Sequence, residues 1–230
     1  MDSILNQLSS GRIILASKSP RRKQILHEQL GFTKISVIPS LFKEDLDKSL
    51  LTPFQYVLDT ATHKALDIYR SEIDSDNEPS LVIGADTIIL SSTDQILEKP
   101  RSKVHHFEML KSLRDANSPH KVFTAVVCIV PYELPVHPGY ALESHIEETE
   151  VFFDPNITDQ ELMSYVESGE AVDAAGGYKI QGRGAVFIQS IKGDYFNVMG
   201  LPVYGTKKLL QRVIEMANNT NEGESGGESP

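Results

Sequence analysis

The stretch from residue 13 to residue 30 predicts a β-strand, a tight turn and an α-helix, and so indicates a fold that alternates strands and helices. An apolar run over residues 13–16 ends in small hydroxyl residues. Pro20 follows, and proline is favoured at the first helical position because its missing N–H would be unpaired there in any case. Ser19 is therefore the expected N-cap of the helix.

Two adjacent arginines, Arg21 and Arg22, fall in the first turn of this helix, where the helix dipole disfavours cations. Free N–H groups at the helix start, serine hydroxyls and two guanidinium groups together favour a bound phosphate. The alternative is a strand–turn–helix whose arginines are simply solvated. These residues alone do not decide between the two interpretations.

The composition is that of an ordinary globular protein with a sizeable core. The chain has 230 residues, of which 40% are hydrophobic and 23% are charged. We expect no membrane span, because the sequence lacks an apolar run of about 18 residues, and we see no secretory signal. The net charge of −10 argues against broad nucleic-acid binding, which usually needs a basic face. A local basic pocket could still bind a small anion, particularly together with a divalent metal ion.

The only cysteine, Cys128, lies in an apolar run over residues 126–130. It cannot form an internal disulfide, and its surroundings favour a buried structural thiol over a nucleophile. A reducing compartment follows from this, so we expect a cytoplasmic protein.

Helices and strands alternate along most of the chain, which predicts an α/β fold with a mixed sheet. Two of the helices begin with a capping box, at Thr52 and at Thr158. The predicted helices cover residues 53–70, 102–113, 158–168 and 204–216, and the predicted strands cover residues 81–90, 122–130, 146–153 and 185–191.

The domain organisation predicted from this pattern is a single domain with two lobes over residues 1–216. Residues 71–80 are polar and acidic, and residues 131–140 carry three prolines, so both predict loops. Residues 217–230 lack apolar content after Ala217 and predict a disordered acidic tail.

Two charged residues interrupt apolar patterns. Asp86 lies within the apolar strand 81–90, where a lone carboxylate is costly unless it is paired or binds a metal. The alternative is a strand end or bulge at Gly84 that leaves Asp86 partly solvated. Lys64 lies on the apolar face of the helix 53–70. It either extends to solvent at the margin of that face or points at a phosphate.

Three further segments are candidates for parts of a functional site. Lys99 precedes a proline, which favours an extended backbone, and lies either at a binding site or in a charged surface loop. Residues 169–184 contain five glycines, which suits either a backbone packed close to a ligand or a flexible loop. In residues 193–202, Asn197 either donates to a base or phosphate or lies in a hairpin.

His63, His105 and His106 lack companions at the spacing of a zinc site.

Six segments, taken together and in order, resemble the Maf-type nucleoside triphosphate pyrophosphatases. The resemblance spans most of residues 12–210 and implies an elongated α/β fold like that of inosine triphosphatase. In that fold a mixed sheet is flanked by helices and the active-site cleft lies between two lobes. The matching segments are LASKSPRR (15–22), HKA (63–65), GADTIIL (84–90), EKPRS (98–102), AAGGYKIQG (174–182) and GDYFNVMGLP (193–202).

The resemblance also implies an activity. It is the hydrolysis of a nucleoside triphosphate between the α- and β-phosphates, which yields a nucleoside monophosphate and pyrophosphate and requires Mg²⁺ or Mn²⁺. Thr87, directly after Asp86, resembles the branch that acts on pyrimidine nucleotides such as dTTP and UTP. Members are often dimers, so a homodimer is expected, with neither nucleic acid nor membrane as a partner.

The resemblance assigns a role to each matching position. Asp86 becomes the central catalytic carboxylate and a metal ligand. Glu44 is the second carboxylate, catalytic and metal-binding, with Asp45 as the alternative one residue later. The remaining positions hold the substrate or take part in catalysis: Ser17, Arg21, Arg22, Lys64 and Lys99 on the triphosphate, and Thr87 and Gln181 in the substrate pocket.

One position departs from the family pattern. Ala174 stands where the family commonly has lysine, and Lys179, where many relatives have glycine, either compensates or does not. This departure bears on substrate choice and rate more than on the reaction class. A second hypothesis is a nucleotide-binding regulatory protein of the same fold with weakened catalysis. A third is a nucleic-acid-binding module, which predicts strongly salt-dependent binding.

Overall fold

A computed structural model describes residues 11–43, 45–48, 50–133 and 137–223. Seven strands of this part form one mixed sheet in the order β2-β1-β3-β5-β6-β7, with β4 paired to β3. The predicted α/β class with a mixed sheet is thus confirmed. The strands are β1 (Arg12–Ala16), β2 (Ile35–Val37), β3 (Pro79–Leu90), β4 (Ile96–Leu97), β5 (His120–Pro131), β6 (Tyr140–Phe153) and β7 (Ile188–Lys192). The α-helices are α1 (Pro20–Glu28), α2 (Pro53–Glu72), α3 (Lys103–Asp115), α4 (Asp159–Ser168), α5 (Tyr195–Met199) and α6 (Val203–Gly223).

The chain divides into two compact units, each assembled from separate stretches of sequence. The first unit comprises Met1–Asp86, Ala125–Ile146 and Val203–Pro230, and the second comprises Thr87–Thr124 and Glu147–Pro202. Strands β3, β5 and β6 contribute residues to both units.

In the first unit, strand β1 lies parallel to both β2 and β3. Ile13 pairs with Ile35 on one side, and Ala16 pairs with Gly84 on the other. Helix α1 begins at Pro20, directly after this strand, as predicted. Ser19 holds the N-cap position with an extended backbone, but its side chain makes no capping hydrogen bond.

Helix α2 of the first unit begins with the predicted capping box. The Thr52 hydroxyl accepts the Gln55 N–H, and the Gln55 side chain accepts the Thr52 N–H. The buried stripe of this helix includes Val57, Ala61 and Lys64, so the predicted apolar face is confirmed with the lysine inside it.

In the second unit, helices α3 and α4 pack on one apolar core that includes Leu110, Leu162 and Phe187. Ser102 caps α3, and the predicted Thr158 capping box begins α4. Strand β7 pairs antiparallel with the end of β6.

Two predictions in the second unit need correction. The strand predicted for residues 185–191 starts only at Ile188, because Arg183–Phe187 forms a short 3₁₀-helix in which Phe187 turns into the core. The hairpin considered for residues 193–202 is instead the short helix α5, whose first turn is capped by the Asp194 side chain accepting the Phe196 N–H at 2.7 Å.

Helix α6 ends at Gly223 and so includes residues 217–223 of the segment predicted as a tail. Residues 224–230 lie outside the described part of the chain. Cys128 is fully buried, as predicted, and burial raises the pKa of its thiol. Within the described residues, none of the helices combines the length and the apolar character that a membrane crossing requires.

Candidate active site

A buried ion pair is the main polar feature of the first unit. The Lys64 ammonium nitrogen Nζ lies 2.8 Å from the Asp86 Oδ1 atom. Lys64 is only 9% exposed and Asp86 only 7%. Both alternatives are therefore wrong. Lys64 does not extend to solvent at the margin of the apolar face, and Asp86 is not solvated at a strand end.

Gly84 allows the helix that carries Lys64 to approach the strand that carries Asp86. A Cβ atom at position 84 would lie 2.6 Å from the Ala61 carbonyl oxygen and 2.8 Å from the Ala65 Cβ atom. Real Cβ atoms do not approach backbone so closely, so a side chain at this position would displace the helix. The absence of a side chain at Gly84 thus permits this close approach of helix α2 to strand β3.

The substitution Gly84→Ala should therefore lower stability and activity together. We expect the free energy of unfolding to fall by about 1–3 kcal/mol, the usual range for overpacking a tight core contact. Urea unfolding measures this change. Gly169→Ala is a suitable comparison, because a Cβ atom there meets nothing within 4 Å, although the backbone strain at φ +69° adds its own cost. An unchanged midpoint in Gly84→Ala would contradict the packing argument.

Arg22 is the third buried charged residue described in the first unit, after Lys64 and Asp86, and it is 8% exposed. Its Nη1 atom donates to the Ser17 Oγ atom at 3.0 Å and to the Ala85 carbonyl oxygen at 2.9 Å. The Ser17 hydroxyl oxygen also accepts the Ser19 N–H at 3.2 Å. The alternative of a solvated arginine is wrong for Arg22, while Arg21 is only partly buried.

These contacts bring four of the predicted residues together at one edge of the sheet. Ser17 follows the end of β1, and Ala85 and Asp86 lie beyond the last paired residues of the parallel β1–β3 ladder. Ligands of open α/β sheets bind outside the carboxyl ends of parallel strands. Ser17, Arg22, Lys64 and Asp86 thus share the edge where an anionic ligand is expected.

Of the two candidates for the second carboxylate, Glu44 and Asp45, the structure describes only Asp45. Glu44 lies outside the described residues, and its alternative, Asp45, is exposed. The preceding residues are tied to helix α2, because the Asp67 carboxylate accepts the Ser40 hydroxyl at 2.7 Å and the Phe42 ring stacks on His63 at 4.7 Å.

The remaining predicted site residues belong to the second unit. The Thr87 hydroxyl lies 2.9 Å from the Thr124 hydroxyl, and Thr87 is partly buried. Lys99 and Gln181 are both exposed.

Asn197 has a structural role. Its Nδ2 atom donates to the Val122 carbonyl oxygen at 3.0 Å and to the Thr149 hydroxyl at 2.9 Å, and the residue is fully buried. Both amide hydrogens are used in the core, so the interpretation of Asn197 as a donor to a base or phosphate is wrong.

Position 174 departs from the family pattern and is buried in the structure. Ala174 is 5% exposed. The neighbouring Asp173 pairs through Oδ1 with the Lys179 Nζ atom at 2.7 Å. Lys179 therefore brings a cation to the residue beside position 174, while its predicted compensating role stays a prediction.

Sequence reasoning considered His106 only as a zinc ligand and missed what it binds. Its imidazole is buried, and its Nε2 atom lies 2.6 Å from the Gly177 carbonyl oxygen. No local pattern could have revealed this contact, because the partner is a backbone atom 71 residues away.

The donor set at the sheet edge is compatible with a divalent cation. Among the described residues, no cluster of three or more His, Cys, Asp or Glu side chains is arranged to hold a metal ion. Mg²⁺ needs no such cluster, since it is usually held by one or two carboxylates together with substrate phosphates and water. Asp86 supplies a carboxylate of that kind.

The fold and these residues define an α/β protein with buried charged side chains at the carboxyl edge of its parallel strands. The chain belongs to the Maf family, whose model, described as "Maf-like protein", matches residues 12–213. A dTTP/UTP pyrophosphatase of Schizosaccharomyces pombe is 50% identical over 220 residues, which cover 95% of this chain and 90% of the relative. One of Saccharomyces cerevisiae is 42% identical, covering 86% and 88%. One of a Thermoanaerobacter species is 36% identical, covering 89% and 98%.

Proposed function

We propose that this protein is a nucleoside triphosphate pyrophosphatase that hydrolyses dTTP and UTP to the nucleoside monophosphate and pyrophosphate. The observation that carries the proposal is the buried Lys64–Asp86 pair, with Arg22 at the same sheet edge. The relatives that share most of the chain are named dTTP/UTP pyrophosphatases, which supports both the reaction and the pyrimidine preference.

The chemistry of the reaction matches the charges of the proposed site. A triphosphate is a polyanion, and water can attack it only after its charge has been neutralised. Arg21, Arg22, Lys64 and Lys99 are the cations proposed to do this. Asp86 is proposed to orient the attacking water and to accept its proton, with Gln181 and Thr87 contacting the nucleoside.

We further propose that the activity requires Mg²⁺ or Mn²⁺, held by Asp86 and Glu44 together with the substrate phosphates. When bound, such an ion neutralises phosphate charge and lowers the pKa of a bound water. Asp86 would then face both Lys64 and the ion, because an ionised carboxylate has several acceptor sites.

The test is release of pyrophosphate from a panel of standard and modified nucleoside triphosphates, with Mg²⁺, with Mn²⁺ and with chelator. We expect dTTP and UTP to be cleaved with kcat/KM about tenfold or more above that for purine nucleotides, a difference of about 1.4 kcal/mol in the transition state. We expect chelator to abolish release. Equal rates for all bases would overturn the pyrimidine preference, and release in chelator would overturn the metal requirement.

Ala174 favours a second candidate, a nucleotide-binding regulator with weakened turnover. This position is lysine in the family pattern, and here it is a buried alanine. The same panel distinguishes the two functions, because a regulator would bind nucleotide without releasing pyrophosphate. Ala174→Lys would then be the first reversion to make.

We also propose that the protein acts as a homodimer in the cytoplasm. The buried free thiol of Cys128 supports a reducing compartment. Sedimentation equilibrium of the full chain tests the first point, and fractionation of cells tests the second.

A further inference from the structure

We propose that His106 is a positioning residue for Lys99, which it holds in place through the glycine pair Gly176–Gly177. The inference rests on the proposed function, since it takes Lys99 to bind the triphosphate. All the contacts involved lie within the second unit.

The glycine pair contacts the backbone on both sides of Lys99. The Gly176 N–H donates to the Glu98 carbonyl oxygen at 3.2 Å. A Cβ atom at Gly177 would lie 3.4 Å from the Pro100 Cγ atom, so this glycine packs against the proline that follows Lys99. The exposed Lys99 is therefore bracketed by two residues that the glycine pair contacts.

Both members of the pair need glycine. Gly176 has φ +68° and Gly177 has φ +73°, in the left-handed region that other residues rarely adopt. A Cβ atom at Gly176 would also lie 2.5 Å from Ile89 Cδ1, and one at Gly177 would lie 2.6 Å from His106 Cδ2. The pair thus fits closely into its surroundings on both faces.

His106 holds the second glycine by a short hydrogen bond. A carbonyl oxygen can only accept, so the Nε2 atom must carry the proton and donate to the Gly177 oxygen at 2.6 Å. The residue is 1% exposed, and burial lowers its pKa, so the ring is neutral at physiological pH. A neutral donor with one carbonyl partner fixes the carbonyl without placing a charge beside it.

The rest of the glycine-rich segment is anchored elsewhere, which gives His106 a distinct role. The Tyr165 hydroxyl accepts the Lys179 N–H at 3.1 Å, and the His120 Nε2 atom lies 2.7 Å from the Tyr178 hydroxyl. These contacts hold residues 178–179. The His106 side chain instead contacts Gly177, a member of the glycine pair that brackets Lys99.

The experiment compares His106→Gln with His106→Met. The Gln Nε2 atom can replace the imidazole Nε2–H, whereas Met has a similar volume and no donor. We expect His106→Met to raise KM for UTP about tenfold with kcat little changed, because binding lost equally from the ground state and the transition state raises KM alone. His106→Gln should stay within about threefold of the wild type, an energy difference below about 0.7 kcal/mol. His120→Met is the matched control, because it removes another buried histidine of this unit and should lower Tm without changing KM.

A double-mutant cycle tests the route through Lys99. In a Lys99→Ala background, His106→Met should add no further increase in KM, since coupled residues are not additive. An additive effect, or an unchanged KM in His106→Met alone, would overturn the proposal.

Hydrogen exchange gives a readout that does not depend on activity. The Gly176 amide should exchange about tenfold faster in His106→Met than in the wild type, because its bond to Glu98 opens more often, and His106→Gln should restore protection. Unchanged protection of Gly176 would overturn the positioning role even if activity were lost. If the wild-type protein released no pyrophosphate but the variants showed this exchange pattern, the proposed function would be refuted, while the contact of His106 with the glycine pair would stand.

Discussion

Asp86→Asn should reduce pyrophosphate release by about a thousandfold, which is the size of effect seen when a group acting directly on the reaction is removed. The substitution keeps an oxygen that can accept a hydrogen bond from Lys64, but it removes the charge that would bind a cation and accept a proton. Steady-state kinetics with UTP measures the loss. We expect it in kcat as well as in kcat/KM.

A matched control separates this effect from general damage. Asp94→Asn makes the same chemical change at an exposed position with φ +57°, where asparagine is well tolerated. It should behave as the wild type. Near-wild-type turnover in Asp86→Asn would contradict the proposed mechanism.

The stability of Asp86→Asn should also fall, because Lys64 is buried and loses the charge it faces. Removing one partner of a buried pair typically costs about 3–5 kcal/mol, and less where a hydrogen bond survives. The double variant Lys64→Met/Asp86→Asn should recover much of that stability by removing the buried cation. It should remain inactive, which would separate folding from catalysis.

Arg22→Met should have the second largest effect and should impair both folding and activity. The Ser17 hydroxyl and the Ala85 carbonyl oxygen would lose a buried donor, at a cost of about 1–3 kcal/mol. The loss of a cation proposed to bind phosphate should lower kcat/KM by about a hundredfold. Thermal unfolding and UTP kinetics measure the two effects.

Lys23→Met provides the control for Arg22→Met. Lys23 is exposed on the same helix, so the control removes the same charge without removing a buried donor. It should change neither Tm nor kcat/KM appreciably. Arg22→Lys should have Tm and kcat/KM values between those of Arg22→Met and Lys23→Met. An ammonium group keeps the charge but cannot reproduce the geometry of a guanidinium. A stable, fully active Arg22→Met would contradict both assigned roles.

Much of the fold could be predicted because its signals are local. The capping boxes at Thr52 and Thr158 and the proline at the start of α1 each depend on residues within one turn. The strand predicted over residues 185–191 is wrong for residues 185–187. The same apolar residues also fit a 3₁₀-helix, which buries Phe187 and exposes Val186. Only tertiary packing decides between those two conformations.

The candidate site was predictable in its parts but not in its arrangement. Asp86 and Lys64 were each conspicuous as charges within apolar patterns. Their pairing depends on the close approach of α2 to β3 at Gly84, which no local pattern reports. Ser19 illustrates the reverse case, since it has the right residue type and position for a capping bond but its side chain does not make one.

The division of the chain also determines the order in which the protein can be completed during synthesis. The first unit begins near the N-terminus but includes helix α6, so its last element leaves the ribosome only after Val203. All residues of the second unit precede Val203, so they are synthesised before helix α6, although this unit begins later in the sequence. Domains generally fold as units during synthesis, with the N-terminal domain first. Here the unit that contains Lys64 and Asp86 is the last to be complete, and a nascent chain truncated before α6 lacks one element of that unit.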